Sequence, residues 1–109
     1  MNNRDCQICE KILSEIGFIE NTMKDMSSEM FLQDERTIRA VCMTLINIGE
    51  LVKNTTQELK DKHKEIPWRA IAGMRDVTVH KYQTLRMEDV YRTCVEDISA
   101  FKKKIEILL

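Results

Sequence analysis

Residues 34–54 read DERTIRAVCMTLINIGELVKN, and within them Ile38, Val41, Cys42, Leu45, Ile48, Gly49 and Val52 recur at steps of three and four. That spacing gathers the apolar side chains into one stripe along an α-helix. Gly49 lies inside the stripe. A glycine in a helix interior costs roughly 1 kcal/mol relative to alanine, so one kept on the buried face predicts that a second backbone comes close there.

The same reading extends in both directions. Upstream, Cys9, Ile12, Leu13, Ile16, Ile19, Met23 and Met26 predict a first helix over 5–26. Ser27 and Ser28 mark a break, and Met30, Phe31 and Leu32 look like an apolar plug in the connection. Downstream, 57–63 is polar and predicts a short, weakly held helix. Pro67 suits a helix's first turn, where its missing N–H is not needed. It opens a third main helix with Trp68, Ile71, Ala72, Met74 and Val79, ending near Tyr82. Met87, Val90, Tyr91, Cys94, Ile98, Phe101 and Ile105 then predict a last helix over 87–107. The expected fold is all-α: an up-and-down four-helix bundle with a short additional helix, in one domain over 1–109.

Composition agrees. The 109 residues are 43% hydrophobic and 32% charged, with 3 glycines and 1 proline, a balance that favours helices over tight β-turns. The net charge is -1, from 17 basic and 18 acidic residues, so any nucleic-acid contact must come from a local cluster, such as one built across a dimer. Cys6 and Cys9 form a C-x2-C with no second pair nearby, and Cys42 and Cys94 stand alone. The four read as reduced, apolar core residues and not as a metal site. Residues 2–5 lead directly into amphipathic pattern, with neither a signal peptide nor an apolar run of membrane-spanning length. A cytoplasmic protein is expected, without metal or cofactor.

One stretch resists reading as a solvated helix face. Residues 73–82, GMRDVTVHKY, gather Arg75, Asp76, His80, Lys81 and Tyr82, and they follow the basic, aromatic start at Trp68 and Arg69. Arginine presents a planar fork of donors that matches phosphate oxygens. Histidine, with an ordinary pKa near ~6.5, exchanges protons around neutral pH. The pair supplies the minimum for cutting RNA without a metal: His80 to move a proton at the ribose 2′-hydroxyl or the leaving oxygen, Arg75 to stabilise the phosphorane.

Helical geometry sets a condition on that reading. At ~100° per residue Arg75 and Tyr82 share a face, whereas Arg75 and His80 lie about 140° apart. They converge only if the helix loosens near His80, if Arg75 uses its length, or if a second protomer completes the site. The structural alternatives are that Arg75 pairs with Asp76 or Glu50 and that His80 caps the helix C-terminus. His63, in a polar segment, reads as surface.

At this point the chain resembles the HepT-like proteins, a branch of the HEPN superfamily. Arg75, His80 and Tyr82 match the R-x4-H-x-Y signature. Ile66, Pro67 and Trp68 resemble the I-P-W block that precedes it, and Arg39-Ala40-Val41 through Ile48-Gly49-Glu50 resemble the second-helix R-A-V…I-G-E pattern. The blocks keep their order and spacing over nearly the whole chain. The resemblance implies a homodimer with its catalytic cleft where two motif helices meet. It implies the toxin of a toxin–antitoxin pair, a metal-independent RNA endonuclease using Arg75 and His80, with an MNT-type nucleotidyltransferase antitoxin that adenylylates Tyr82. Asp76, Lys81 and Arg69 then become supporting RNA-binding residues; neither DNA nor a membrane is an expected partner. Relatives often carry Asn where this chain has Asp76. Two other functions compete: a non-catalytic helical module that docks a nucleotidyltransferase and binds nucleotide or RNA, and a histidine phosphotransfer bundle.

Overall fold

A computed structural model describes residues 1–109 and is helical throughout, without a β-strand. Helix α1 (Asn3–Met23), α2 (Ser28–Gln33), α3 (Glu35–Lys53), α4 (Gln57–Lys62) and α5 (Trp68–Lys81) are followed by a 3-10 turn at Tyr82–Thr84. Helix α6 (Met87–Arg92) then runs through a π-helical turn at Thr93–Asp97 into α7 (Ile98–Leu108), so that 87–108 is one long rod.

The helices start where the sequence supplies acceptors for their free N–H groups. Asn2 Oδ1 accepts from Asp5 N at 2.7 Å, Ser27 Oγ from Met30 N at 3.1 Å, Asp34 Oδ1 from Thr37 N at 3.1 Å and Thr56 Oγ from Leu59 N at 3.2 Å. Helix α5 begins behind Pro67 with no capping side chain. The first helix stops at Met23, three residues short of the apolar pattern, because the chain turns at Asp25 with φ 59°. The expected plug after it is a capped helix, α2, that buries Phe31 and leaves Met30 and Leu32 exposed.

Antiparallel pairing can be followed through single contacts. Asp5 meets Thr56, and Glu15 accepts from Asn47 at 2.7 Å, which sets α1 against α3. Lys102 binds Glu20 at 2.8 Å, and the Tyr91 hydroxyl donates to Met26 O at 2.8 Å, setting the last rod against α1. Trp68 meets Phe101 edge-on with ring centroids 6.4 Å apart, joining α5 to α7. The result is the up-and-down bundle that the periodicity predicts, with two short helices in its connections.

One core cluster of 22 buried side chains runs through the bundle, and it includes Cys9, Cys42 and Cys94. Burial holds these three thiols protonated, with Cys9 raised to about 11 and Cys94 to about 12. The buried carboxylate Asp5 is satisfied by Thr56, accepting from its backbone N at 3.0 Å and its hydroxyl at 2.6 Å. That bond fixes α4 to the first turn of α1. The nominally weak α4 is further held by Leu59, which is buried.

A candidate site where α5 packs on α3

Helix α5 lies along α3, and the closest approach is at Gly49. A Cβ built on Gly49 would stand 2.5 Å from Arg75 Cβ, 3.1 Å from Arg75 N and 3.3 Å from Ala72 O. The predicted close approach is therefore that of the motif helix itself, at its arginine. Arg75 leaves that contact towards two carboxylates. Its Nη1 donates to Asp76 Oδ1 at 3.1 Å, and its Nε lies 3.3 Å from Glu50 Oε2. The second pair is too bent for a hydrogen bond, and Arg75 Nε is the one buried side-chain nitrogen or oxygen without a partner. Both pairings foreseen for Arg75 occur together.

Asp76 is the hub of this cluster. Lys53 Nζ donates to the same Oδ1 at 2.9 Å. The hydrogen bond from Lys53, then that from Arg75, holds the Asp76 carboxyl below its usual range. The negative charge beside the arginine is thus neutralised from both sides. Lys53 went unremarked in the sequence, yet its signal was there: it stands four residues after Gly49, one turn further along the face that α5 covers.

His80 occupies a different environment. Helix α5 continues unbroken to Lys81, so it does not loosen at His80, and Arg75 is directed towards α3. His80 is exposed, as are Val77 and Val79 on either side of the buried Thr78. Within one chain the two residues stay on separate faces. Lys81 is exposed beside His80, in the last turn where a cation is favoured. Arg69 is exposed at the other end of α5. His63 lies in a turn after α4, where its Nδ1 is 3.5 Å from Glu65.

Tyr82 starts the 3-10 turn and is half-buried against the core. It lines a groove of about 350 Å³ with Arg39, Cys42, Met43, Thr78 and Val79. Arg39, exposed and bonded to Glu35 at 2.8 Å, is held above its usual range first by that bond and further by Tyr82 nearby. Arg39, Met43, Ile46, Glu50 and Lys53 step by four and three along α3. They form one stripe beside α5, and Arg39 and Lys53 on it were not singled out from the sequence as site residues.

No three His, Cys, Asp or Glu side chains gather as a metal ion would require. No helix is long and apolar enough to cross a membrane.

The whole of this geometry falls within residues 12–108, which match the family model described as "Ribonuclease HepT-like". A protein of Caldanaerobacter subterraneus subsp. tengcongensis, provisionally named an RNase, is 36% identical over 100 residues, 92% of this chain and 89% of the relative. One of Thermococcus cleftensis, provisionally named ribonuclease HepT, is 39% identical over 99 residues, 91% of this chain and 90% of the relative. A third, from Methanocaldococcus jannaschii and also provisionally named an RNase, is 35% identical over 98 residues, 90% and 84% of the two chains. No solved structure gives a significant match. With a family model spanning most of the chain and relatives matched over nearly their full length, this all-α protein belongs to the HepT-like family of the HEPN superfamily.

Proposed function

We propose that the chain is a metal-independent endoribonuclease and the toxin of a toxin–antitoxin pair. Two protomers bring Arg75 of one motif helix towards His80 of the other. The ribose 2′-hydroxyl attacks the adjacent phosphorus, the bond to the 5′-oxygen breaks, and a 2′,3′-cyclic phosphate and a free 5′-hydroxyl result. His80 takes or supplies a proton in this exchange, a role typically worth ~10²–10⁴ in rate. Arg75 faces the charge that grows on the phosphorane oxygens, for which a comparable factor is usual. Lys81, exposed beside His80, and Arg69 add positive charge for the strand.

The observation that carries this reading is the division of the motif over α5: an arginine held against Glu50 and Asp76 on one side, an exposed histidine on the other. A dimer across α5 answers it, and the exposed Val77, Val79 and Met43 (57% exposed) offer apolar surface beside His80 for a second copy to cover. The names carried by the relatives support ribonuclease chemistry.

Silencing follows from Tyr82. Attack of its hydroxyl oxygen on the α-phosphorus of ATP, catalysed by an MNT-type nucleotidyltransferase partner, would release pyrophosphate and leave AMP on the ring. The added negative charge would stand in the groove beside Arg39, close to the motif, and repel RNA.

The test is incubation of wild type, Arg75→Ala and His80→Ala with total RNA in EDTA, each purified without a partner. Cleavage by wild type alone is expected. Cleavage by none, with intact unmodified dimers, would favour the alternative: a non-catalytic module that docks the nucleotidyltransferase and binds nucleotide or RNA.

A further inference from the structure

The chain's near-zero net charge conceals a strong asymmetry. Between Lys53 and Arg86 it carries eight lysines and arginines against four carboxylates, and elsewhere nine against fourteen. Part of the basic excess converges on a groove of about 550 Å³ between α4 and the first turns of α5. Lys53, Lys60, Lys64 and Arg69 line it, and its one carboxylate, Asp61, is engaged by Gln57 Nε2 at 2.9 Å. Lys60 Nζ reaches Thr55 O at 3.3 Å, whereas Lys64 and Arg69 are exposed and enter no ion pair. Four cations around one concavity repel one another, and an anionic ligand relieves that cost.

The floor of the groove says which part of a ligand it reads. Ile66 and Trp68 are buried, and the Trp68 indole is fixed by its Nε1–H donating to His63 O at 2.9 Å. The ring is packed inward on Phe101 and offers no platform for stacking a base. What remains for a ligand is an array of cations, which recognises phosphates and not sequence. The groove is also continuous with the motif. Lys53 lines it and binds Asp76, which binds Arg75. Arg69 and Arg75 are six residues apart, about 9 Å along the helix axis.

We propose that this groove holds the backbone of the RNA strand to one side of the scissile bond. The proposal rests on the ribonuclease reading above and adds to it a sequence-independent subsite lined by Lys60, Lys64 and Arg69. RNA cut at Arg75 and His80 passes along α5 into this groove.

Lys60→Gln/Lys64→Gln tests it, because neither side chain belongs to the motif. Binding of a fluorescent 2′-O-methyl RNA 12-mer, which resists cleavage, is measured by anisotropy over a range of KCl concentrations. Each phosphate contact on a single strand contributes about 0.7 to the slope of log affinity against log salt. The double variant is expected to lose about 1.4 of that slope and roughly 10- to 30-fold in affinity at 0.1 M salt. Its rate at saturating long RNA and its cleavage of a dinucleotide should match wild type, with an unchanged melting temperature. Unchanged affinity and slope would overturn the proposal. So would an effect confined to ATP binding, which would make the groove a nucleotide site, or to binding of a nucleotidyltransferase, which would make it a protein interface. Failure of the ribonuclease reading is seen separately: wild type would then be as inactive on RNA in EDTA as His80→Ala, whatever the groove variant binds.

Discussion

Gly49 and Arg75 face each other across the α3–α5 contact so closely that a methyl group on the first would stand 2.5 Å from the Cβ of the second. The absence of one side chain on α3 is what allows the motif arginine to sit low against that helix, within reach of Glu50 and beside Asp76.

Gly49→Ala should therefore be destabilising, although alanine is the better helix former. Overpacking of this kind costs ~1–3 kcal/mol, a fall of roughly 4–8 °C in melting temperature per kcal/mol for a chain of this size. RNA cleavage should fall with it as Arg75 is displaced. Gly17 and Gly73 are the controls, since a Cβ at either meets nothing within 4 Å. Replacing either with alanine should raise stability by about 0.5–1 kcal/mol. Thermal melts of the three variants separate backbone approach from helix propensity; a stabilised Gly49→Ala would contradict the contact.

The motif pair should part company in stability. His80→Ala removes an exposed side chain and should leave unfolding within about 0.5 kcal/mol of wild type. Arg75→Ala removes a half-buried side chain, leaving Glu50 without its cation and Asp76 with Lys53 alone, and should cost more. Urea unfolding of both checks this, and equal losses would argue against the environment described for His80.

If the reacting groups come from different protomers, mixing the two inactive variants restores activity. Half of the randomly paired dimers are then mixed, each with one intact site of two, so about a quarter of wild-type cleavage should return. Recovery of none after verified subunit exchange would place both residues of each site in one chain.

Asp76→Asn removes the negative charge shared by Lys53 and Arg75, leaving them a neutral amide oxygen, and should raise affinity for RNA by loosening both cations. Its effect on stability depends on pH. The folded carboxyl lies below its ordinary value, so its contribution is present above the unfolded pKa near ~4 and is lost as pH falls through the folded value. Wild type should lose more stability than Asp76→Asn across that acid range. Paired urea melts at neutral and acid pH, with RNA binding by anisotropy, provide the measurement.

Cysteine reactivity should be confined to one position. Cys9, Cys42 and Cys94 are buried with raised thiol pKa values, and Cys6 is the partly exposed one. A thiol reagent at pH 8 should label Cys6 in the folded protein and all four after denaturation. Rapid labelling of Cys9 or Cys94 in the folded state would show that the core opens.

Helix class, the four main helices and their core faces were legible because burial imposes a 3.6-residue period, as the stripe from Ile38 to Val52 displays directly, whereas the short helix α2 was not. Gly49 announced a close approach because glycine is costly in a helix unless something needs the room. Short-range chemistry was legible too: Asp76 adjoins Arg75 in the chain. What the one-dimensional pattern left open were the identities of partners across helices. That α5 is the helix meeting Gly49, that Lys53 closes the Asp76 cluster from 23 residues away, and that Lys60, Lys64 and Arg69 share a concavity depend on how whole helices pack. The π-helical turn at Thr93–Asp97 has no sequence signal that we can name. Periodicity records which face of a helix is buried; only packing decides which other face it is buried against.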